Sequence, residues 1–483
     1  MGIMNKGKLK YIVAVALGAA AITLFVAAGR DAFRMTRGME ILVNMFRDLS
    51  LYYVDDPDPD KLLNDAASGM TASLDPYTEY ISEEDMASFE VMTLGKYGGI
   101  GSLIRQDGEL VEFAEPYEGT PADRAGIVIG DRLLEIDGKP AKGMNTQQVS
   151  NALKGEPGTT IKLKIKKFYT GEAEVLKIKR EIISLPGIPY FGMVSDTVGY
   201  ILHSDFTLDS SNDMRNAVMG LRQQGANALI IDYRNNGGGI MQEAVKILTY
   251  FVPKGTEVVS TRGRGEETSA TFLTQNEPID TEIPLAILVS SGTASAAEIV
   301  AGALQDLDRA VLIGRRTFGK GLVQSTRPVG YNSWLKVTTA KYYLPTGRCI
   351  QAIDYAKRAE DGSISYIPDS LIVEYRTAGG RRVYDGGGVM PDIRTETDYL
   401  SRFAYILYTR GYISDFADEY ALRNRDTVFD PATIALTDAD YGDFVRFMDD
   451  KDVGWESDTK RAIMQLREKA TAERYIEGIA EGL

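Results

Sequence analysis

One pattern limits the fold more than any other: an apolar strand runs through a small-residue turn into a helix, and does so twice. ALIIDYR (228–234) passes through NNGGG (235–239) into IMQEAVKILTYF, and PLAILVSSG (284–292) passes into SAAEIVAGALQDL, followed by AVLIG (310–314). Strands covered on both faces read as continuous apolar runs, and helices carry the crossovers between them. The alternation over residues 183–395 therefore predicts an α/β core of βαβ type. The flanking chain is of other kinds. Residues 31–95 have apolar positions at near-helical spacing, broken by Pro57, Pro59 and the turn SLDPY (73–77). Residues 96–182 hold short strands and turns with a helix expected near Thr146–Leu153, a small β-rich barrel. Residues 396–483 are charged and helical, with no readable motif. No internal repeat or low-complexity tract is present.

Composition removes several functions. The formal charge is −14 and no long Lys/Arg run exists, so nucleic acid is excluded as a partner. The single cysteine, Cys349, allows no intramolecular disulfide and no Cys-based zinc site, and no metal is expected. It lies in a strand-like run, where a packed small residue is the plainer reading than a nucleophile. The single histidine, His203, is the one imidazole a Ser-His-Asp or Cys-His enzyme could use, and in VGYILHSDF it reads more plainly as a partly buried strand residue. At the N-terminus, Lys6, Lys8 and Lys10 precede an apolar run from Tyr11 to Ala28, with Arg30 after it. That run is long enough to span or nearly span a bilayer, N-terminus inside. We read it as an uncleaved membrane anchor. A signal peptide cut before Gly29 is the alternative, since Val26 and Ala28 fit the small-residue rule. Either places the bulk of the chain in the cell envelope, in the periplasm or extracytoplasmic space.

Three motifs bear on chemistry. GRRTFGKG (314–321) nearly matches a phosphate-binding loop through Gly314, Gly319 and Lys320. However, Gly321 stands where Ser or Thr should hold magnesium, and the strand-like LVQSTRPVG follows instead of a helix. No nucleotide and no other cofactor is expected. SSGTASAAE (290–298) sets Ser295 where a strand-turn becomes a helix, good ground for a nucleophile because amides and helix dipole favour developing negative charge. Ser295 to Glu298 is equally a capping box. NNGGG can offer backbone amides to a ligand, or be a tight turn.

Taken together, these segments resemble the carboxyl-terminal processing (tail-specific) proteases. SSGTASAAEIVAGALQDLDRAVLIGRRTFGKGLVQ is similar to the family signature, with Ser295 followed by Lys320 and Gln324. DYRNNGGG, KYYLPTGRCIQ (341–351) and GVMPDI (388–393) resemble further family blocks, and residues 96–182 resemble a PDZ domain. The resemblance implies a ClpP/crotonase-like α/β core (183–395) with an inserted PDZ domain (96–182). It also implies an anchor or signal (1–30), an N-terminal helical region (31–95) and a C-terminal helical region (396–483). It implies a serine endopeptidase cleaving near the C-termini of unfolded or tail-exposed proteins. Ser295 would be nucleophile, Lys320 general base and Gln324 the partner of Lys320. The oxyanion hole would be the Ala296 amide with an amide of Gly237 or Gly238. Gly98, Gly99, Ile100 and Gly101 would bind the peptide carboxylate in the PDZ segment. The family often has Pro where this chain has Gly237. Partners would be protein tails and the membrane, with self-association left open.

The chemistry asks much of Lys320. Only a neutral amine can take the serine proton, so its pKa must fall by burial and neighbouring cations, for which Arg315 and Arg316 are the candidates. Two rivals remain in view. A trypsin-like PDZ protease needs a usable histidine and a Gly-Asn-Ser-Gly-Gly segment, which the chain lacks. An inactive membrane-anchored PDZ scaffold or chaperone is harder to reconcile with Ser295, Lys320 and Gln324 together.

Overall fold

The computed structural model describes residues 32–86, 89, 95–358, 364–396, 400–425, 427, 434–451, 453–454 and 457–473. The anchor or signal expected at 1–30 lies outside them. No helix among the described residues is long and apolar enough to cross a membrane. The chain divides into two compact units: residues 1–93, 190–312 and 316–390, and residues 94–189, 313–315 and 391–483.

The first unit is built on a sheet ordered Tyr190–Met193, Val198–Leu202, Ala228–Asp232, Leu285–Val289, Ala310–Gly314. Val198–Leu202, Ala228–Asp232 and Leu285–Val289 pair in parallel, as their apolar runs require. Helix Ser210–Gln223 makes the first crossover, and helices Met241–Leu248 and Ala296–Asp306 follow the next two strands. Every residue of Ala296–Asp306 is buried, which its small side chains and polar-poor sequence permit.

The βαβ reading was incomplete. A second, wholly antiparallel sheet joins Glu79–Ile81, Ser333–Tyr343, Glu257–Gly263 and Ala270–Leu273, with Leu322–Gly330 paired to Ser333–Tyr343. The last two strands turn at Tyr331 and Asn332, both at positive φ (47° and 53°), the backbone that matches a two-residue hairpin to strand twist. Glu79–Ile81 is a strand inside the segment read as helical, after helices over residues 32–52 and at Pro59–Thr71. Cys349 also differs from its strand reading: it lies in irregular chain beyond Ser333–Tyr343, half-buried, its thiol pushed up by burial.

KYYLPTGRCIQ has a structural use. Arg348 is fully buried and pairs with the fully buried Asp306 at the end of helix Ala296–Asp306, at 2.8 Å. Its guanidinium also donates to Gln305 Oε1 (2.9 Å) and to the Tyr384 carbonyl (3.0 Å). Removing one member strands a buried charge. Arg348→Met is therefore expected to lower unfolding free energy by about 3–5 kcal/mol in denaturant titration. A loss below about 1 kcal/mol would mean that the buried pair adds little to the stability of the fold.

The second unit contains the β-rich segment. Its sheet runs Ser102–Asp107, Leu110–Pro116, Arg132–Ile136, Thr160–Lys166, Ala173–Lys179. Strict alternation in TIKLKIK buries Ile161, Leu163 and Ile165 on one face, against Val111, Phe113, Leu133, Val149 and Ile178. Helix Thr146–Leu153 begins at Asn145, whose side chain caps it. Beyond residue 400 lie helices Arg402–Thr409, Tyr412–Arg423, Asp438–Met448 and Asp458–Ala472.

Candidate active site

Ser295 sits between strand Leu285–Val289 and helix Ala296–Asp306, at φ 55°, ψ −118°. An ordinary N-cap serine is extended with negative φ. A non-glycine residue in this region is strained, and such strain persists only where the surroundings impose it. The Ser-x-x-Glu spacing is used from the glutamate's side, since Glu298 Oε2 accepts the Ser295 amide at 2.9 Å.

The turn is laced to NNGGG. Thr293 Oγ1 donates to the Tyr233 carbonyl (2.7 Å), the Ala294 amide to the Asn236 carbonyl (2.9 Å), and the Asn235 amide to Ser290 Oγ (3.0 Å). Gly238 presses directly on the serine. A Cβ there would lie 2.7 Å from Ser295 Cβ and 2.9 Å from the Ala296 nitrogen, and its φ is +97°. Only glycine fits. Its amide is already committed, donating to Asn236 Oδ1 at 2.8 Å, while Asn236 Nδ2 donates to the His203 carbonyl. Gly237 is exposed, and its amide makes no hydrogen bond among the described residues. The Ala296 amide opens the helix, where no intrahelical acceptor exists. Of the two loop amides that were alternatives for an oxyanion, that of Gly238 is committed and that of Gly237 is not.

His203 follows strand Val198–Leu202 directly and is fully buried between Phe206 and Tyr233. Burial holds its imidazole down to about 4, and Nε2 lies 3.0 Å from the Asp205 carbonyl. It packs and supports the loop.

Lys320 lies in the loop between strands Ala310–Gly314 and Leu322–Gly330. Two buried side chains tie it to Ser295. Glu298, wholly buried, accepts the Lys320 amide (2.9 Å), the Gly319 amide (2.8 Å) and the Thr317 hydroxyl besides Ser295. Tyr342 shares its one hydroxyl proton between the Lys320 carbonyl, the nearer acceptor, and the Ser295 carbonyl (3.2 Å). Residues 25 apart in sequence are so bound through both amides and both carbonyls. Burial pushes the Glu298 carboxyl up to about 7, against the pull of its four donors. In the sequence Glu298 reads as a cap, and nothing singles out Tyr342. Their long-range role leaves no local signal.

The amine itself is lowered to about 8, by burial first and then by the nearby Lys336. The cation expected from Arg315 or Arg316 is instead Lys336. Arg316 donates to the Gly387 carbonyl. No hydrogen bond joins Lys320 Nζ to Ser295 Oγ or to Gln324. Lys320 Nζ rests 4.1 Å from the centroid of the Tyr77 ring. Gln324 Nε2 donates to Thr338 Oγ1 at 3.1 Å, and that hydroxyl donates to Asp75 Oδ1 at 3.1 Å.

In the β-rich segment, Gly98 and Gly99 belong to strand Lys96–Gly99, paired with Glu181–Ser184, and Ile100 is a core side chain. The four residues expected to bind a carboxylate thus fall partly in a strand and partly in the bend at Ile100–Gly101, where Gly101 has φ +79°. A small pocket of about 40 Å³ opens there between strand Ser102–Asp107 and helix Thr146–Leu153, lined by Ile100, Ile104, Ser150, Leu153 and Lys154.

Comparison with known proteins agrees with this layout. A family model for peptidase family S41 matches residues 197–357, a PDZ-domain model matches 112–167, and a model for the C-terminal helical domain of a probable PDZ-protease matches 403–483. A carboxy-terminal-processing protease of Bartonella bacilliformis is 36% identical over 314 residues, 64% of this chain and 72% of that protein. The carboxy-terminal processing protease CtpA of Bacillus subtilis is 30% identical over 419 residues, 85% of this chain and 88% of that one. Among solved structures, a photosystem II D1 C-terminal processing protease is 26% identical with a TM-score of 0.41, covering 73% of this chain and 92% of that chain. The chain therefore belongs to the carboxy-terminal processing proteases of peptidase family S41 and is a serine-type peptidase with a PDZ domain and a C-terminal helical domain.

Proposed function

We propose that this peptidase works through a Ser295–Lys320 dyad and cuts unfolded or tail-exposed proteins near their C-termini. The observation that carries the reading is the strained backbone of Ser295, bound to Lys320 through Glu298 and Tyr342. Ser295 Oγ attacks the scissile carbonyl carbon while its proton passes to neutral Lys320 Nζ. The Ala296 and Gly237 amides receive the oxyanion. The ammonium then protonates the leaving amine, and water, deprotonated in turn by Lys320, releases the acyl group. Gln324 acts through the Thr338–Asp75 chain to fix the wall beside the lysine.

The PDZ domain receives the tail. An extended peptide adds to strand Ser102–Asp107, its carboxylate at the Ile100–Gly101 bend and its last side chain in the small pocket beside Ile104 and Leu153. The parallel strands with their helices support a ClpP/crotonase-like core over 183–395. The proposed division places the PDZ domain at 96–182, helical regions at 31–95 and 396–483, and an anchor at 1–30. The charge and apolar pattern of Lys6 to Ala28 supports anchoring in the envelope with the bulk outside the cytoplasm.

The test is hydrolysis of an unfolded polypeptide offered with a free apolar C-terminus or the same C-terminus amidated. The free tail is expected to be cut at least about tenfold faster, because the amide lacks the charge the bend would bind. Equal rates would remove tail recognition. The absent Ser295–Lys320 hydrogen bond favours a second reading, an inactive anchored scaffold. Binding of the free tail without any cleavage would establish that alternative.

A further inference from the structure

The turn SLDPYT (73–78), mere punctuation in the sequence, is built onto the candidate site. Asp75 Oδ1 accepts the amides of Tyr77 and Thr78, each at 2.9 Å, and Oδ2 accepts the Thr78 hydroxyl at 3.0 Å. Strand Glu79–Ile81 then pairs with Ser333–Tyr343, and the Thr338 amide donates to Thr78 Oγ1 at 3.1 Å. These bonds fix the direction of Tyr77. Its ring meets Tyr355 edge-on, centroids 6.0 Å apart, with the hydroxyls 3.4 Å apart. The ring face is left for Lys320 Nζ at 4.1 Å.

A ring face attracts an ammonium through its quadrupole and does little for a neutral amine. It therefore favours the form of lysine that cannot take a proton. Four other charged groups bear on Lys320. Lys336, on Ser333–Tyr343, opposes the ammonium, while Glu298, Asp75 and Glu79 favour it. Tyr342 faces the Lys320 carbonyl, and Tyr355 backs Tyr77. Of these groups, the Tyr77 ring is the one on which the amine rests, and from there Nζ makes no bond to Ser295 Oγ.

Resting on the reading of Lys320 as the base, we propose that Tyr77 is a positioning residue that parks the Lys320 ammonium on its ring, away from Ser295, and so holds the peptidase back. The amine must leave the ring to meet the serine. The turn that carries Tyr77 thus acts as a brake on the dyad, set from the N-terminal side of the chain.

The experiment is the pH dependence of kcat/KM on a fluorogenic peptide with a free apolar C-terminus, for the full chain, Tyr77→Phe, Tyr77→Leu and Lys320→Ala. Leucine keeps an apolar cover but has no quadrupole. The acid limb of Tyr77→Leu is expected to move down by about half to one pH unit, raising kcat/KM below the limb by about three- to tenfold. Tyr77→Phe, which keeps the face, is expected to retain the parent limb. A limb that stays put in Tyr77→Leu, or moves up, overturns the proposal, because the ring would then only shield the amine. If Tyr77→Leu melts below the assay temperature, Tyr77→Met is read against the same outcomes. Undiminished activity in Lys320→Ala would instead refute the dyad itself, and the brake with it.

Discussion

Lys320→Ala is expected to lower kcat/KM by on the order of 10⁴-fold or more, with Ser295→Ala equally inactive and the double variant no worse. Residues that act as a unit lose everything with the first member removed. The pH profile of the parent identifies which form of the lysine works. The base must be neutral, and the amine is lowered to about 8. Activity should therefore climb with pH through about 8 and level above it. His203 contributes nothing to this limb, since its imidazole is held down to about 4 in a closed pocket. Activity should also survive histidine-directed reagents. A parent profile flat between about pH 6 and 9 would remove Lys320 as the base.

Glu298→Gln should be the next most damaging change away from the reacting atoms. Both carboxylate oxygens only accept: one from the Ser295 and Lys320 amides, the other from Thr317 and Gly319. A glutamine must turn an NH₂ toward two of these donors. The serine turn and lysine loop then separate, and misplacement on the order of 1 Å costs about 10²-fold in kcat. We expect kcat/KM to fall about 10²–10³-fold, and unfolding free energy to fall by about 1–3 kcal/mol for the unsatisfied buried donors. The Lys320 limb should remain visible in what activity is left. A variant of parental activity would mean that Glu298 supports the helix and not the pair.

What could be read in the sequence was what is local. Apolar runs feeding glycine turns announced the parallel strands, and the short strands and turns of residues 96–182 announced the β-rich segment. The antiparallel sheet was not legible. Ser333–Tyr343 is partly buried along most of its length and lacks clean alternation, because it is flanked by strands on both sides. Ser295, Lys320 and Gln324 were picked out by spacing and by the family they resemble, not by any chemistry that composition could reveal. Glu298 was visible only as a cap, since its contacts with Gly319 and Lys320 span more than 20 residues. Gly238, one of two glycines offered for an oxyanion amide, stands where a side chain would collide with Ser295, which no local pattern shows. Gln324 was expected on the lysine and stands on Thr338.

The fastening of Ser295 and Lys320 has a consequence for time. Glu298 grips both amides and Tyr342 both carbonyls, so the backbone on each side has little left to adjust. On the proposed reading of the dyad, the adjustment left to Lys320 is rotation about its own methylene bonds. Side-chain rotation of that kind belongs to picoseconds and nanoseconds when unobstructed, whereas remaking a loop takes microseconds or longer. On the proposed reading, an amine released from its aromatic perch moves toward the serine by side-chain rotation, far faster than a peptide bond is turned over, and readiness for each cycle would not wait on the fold.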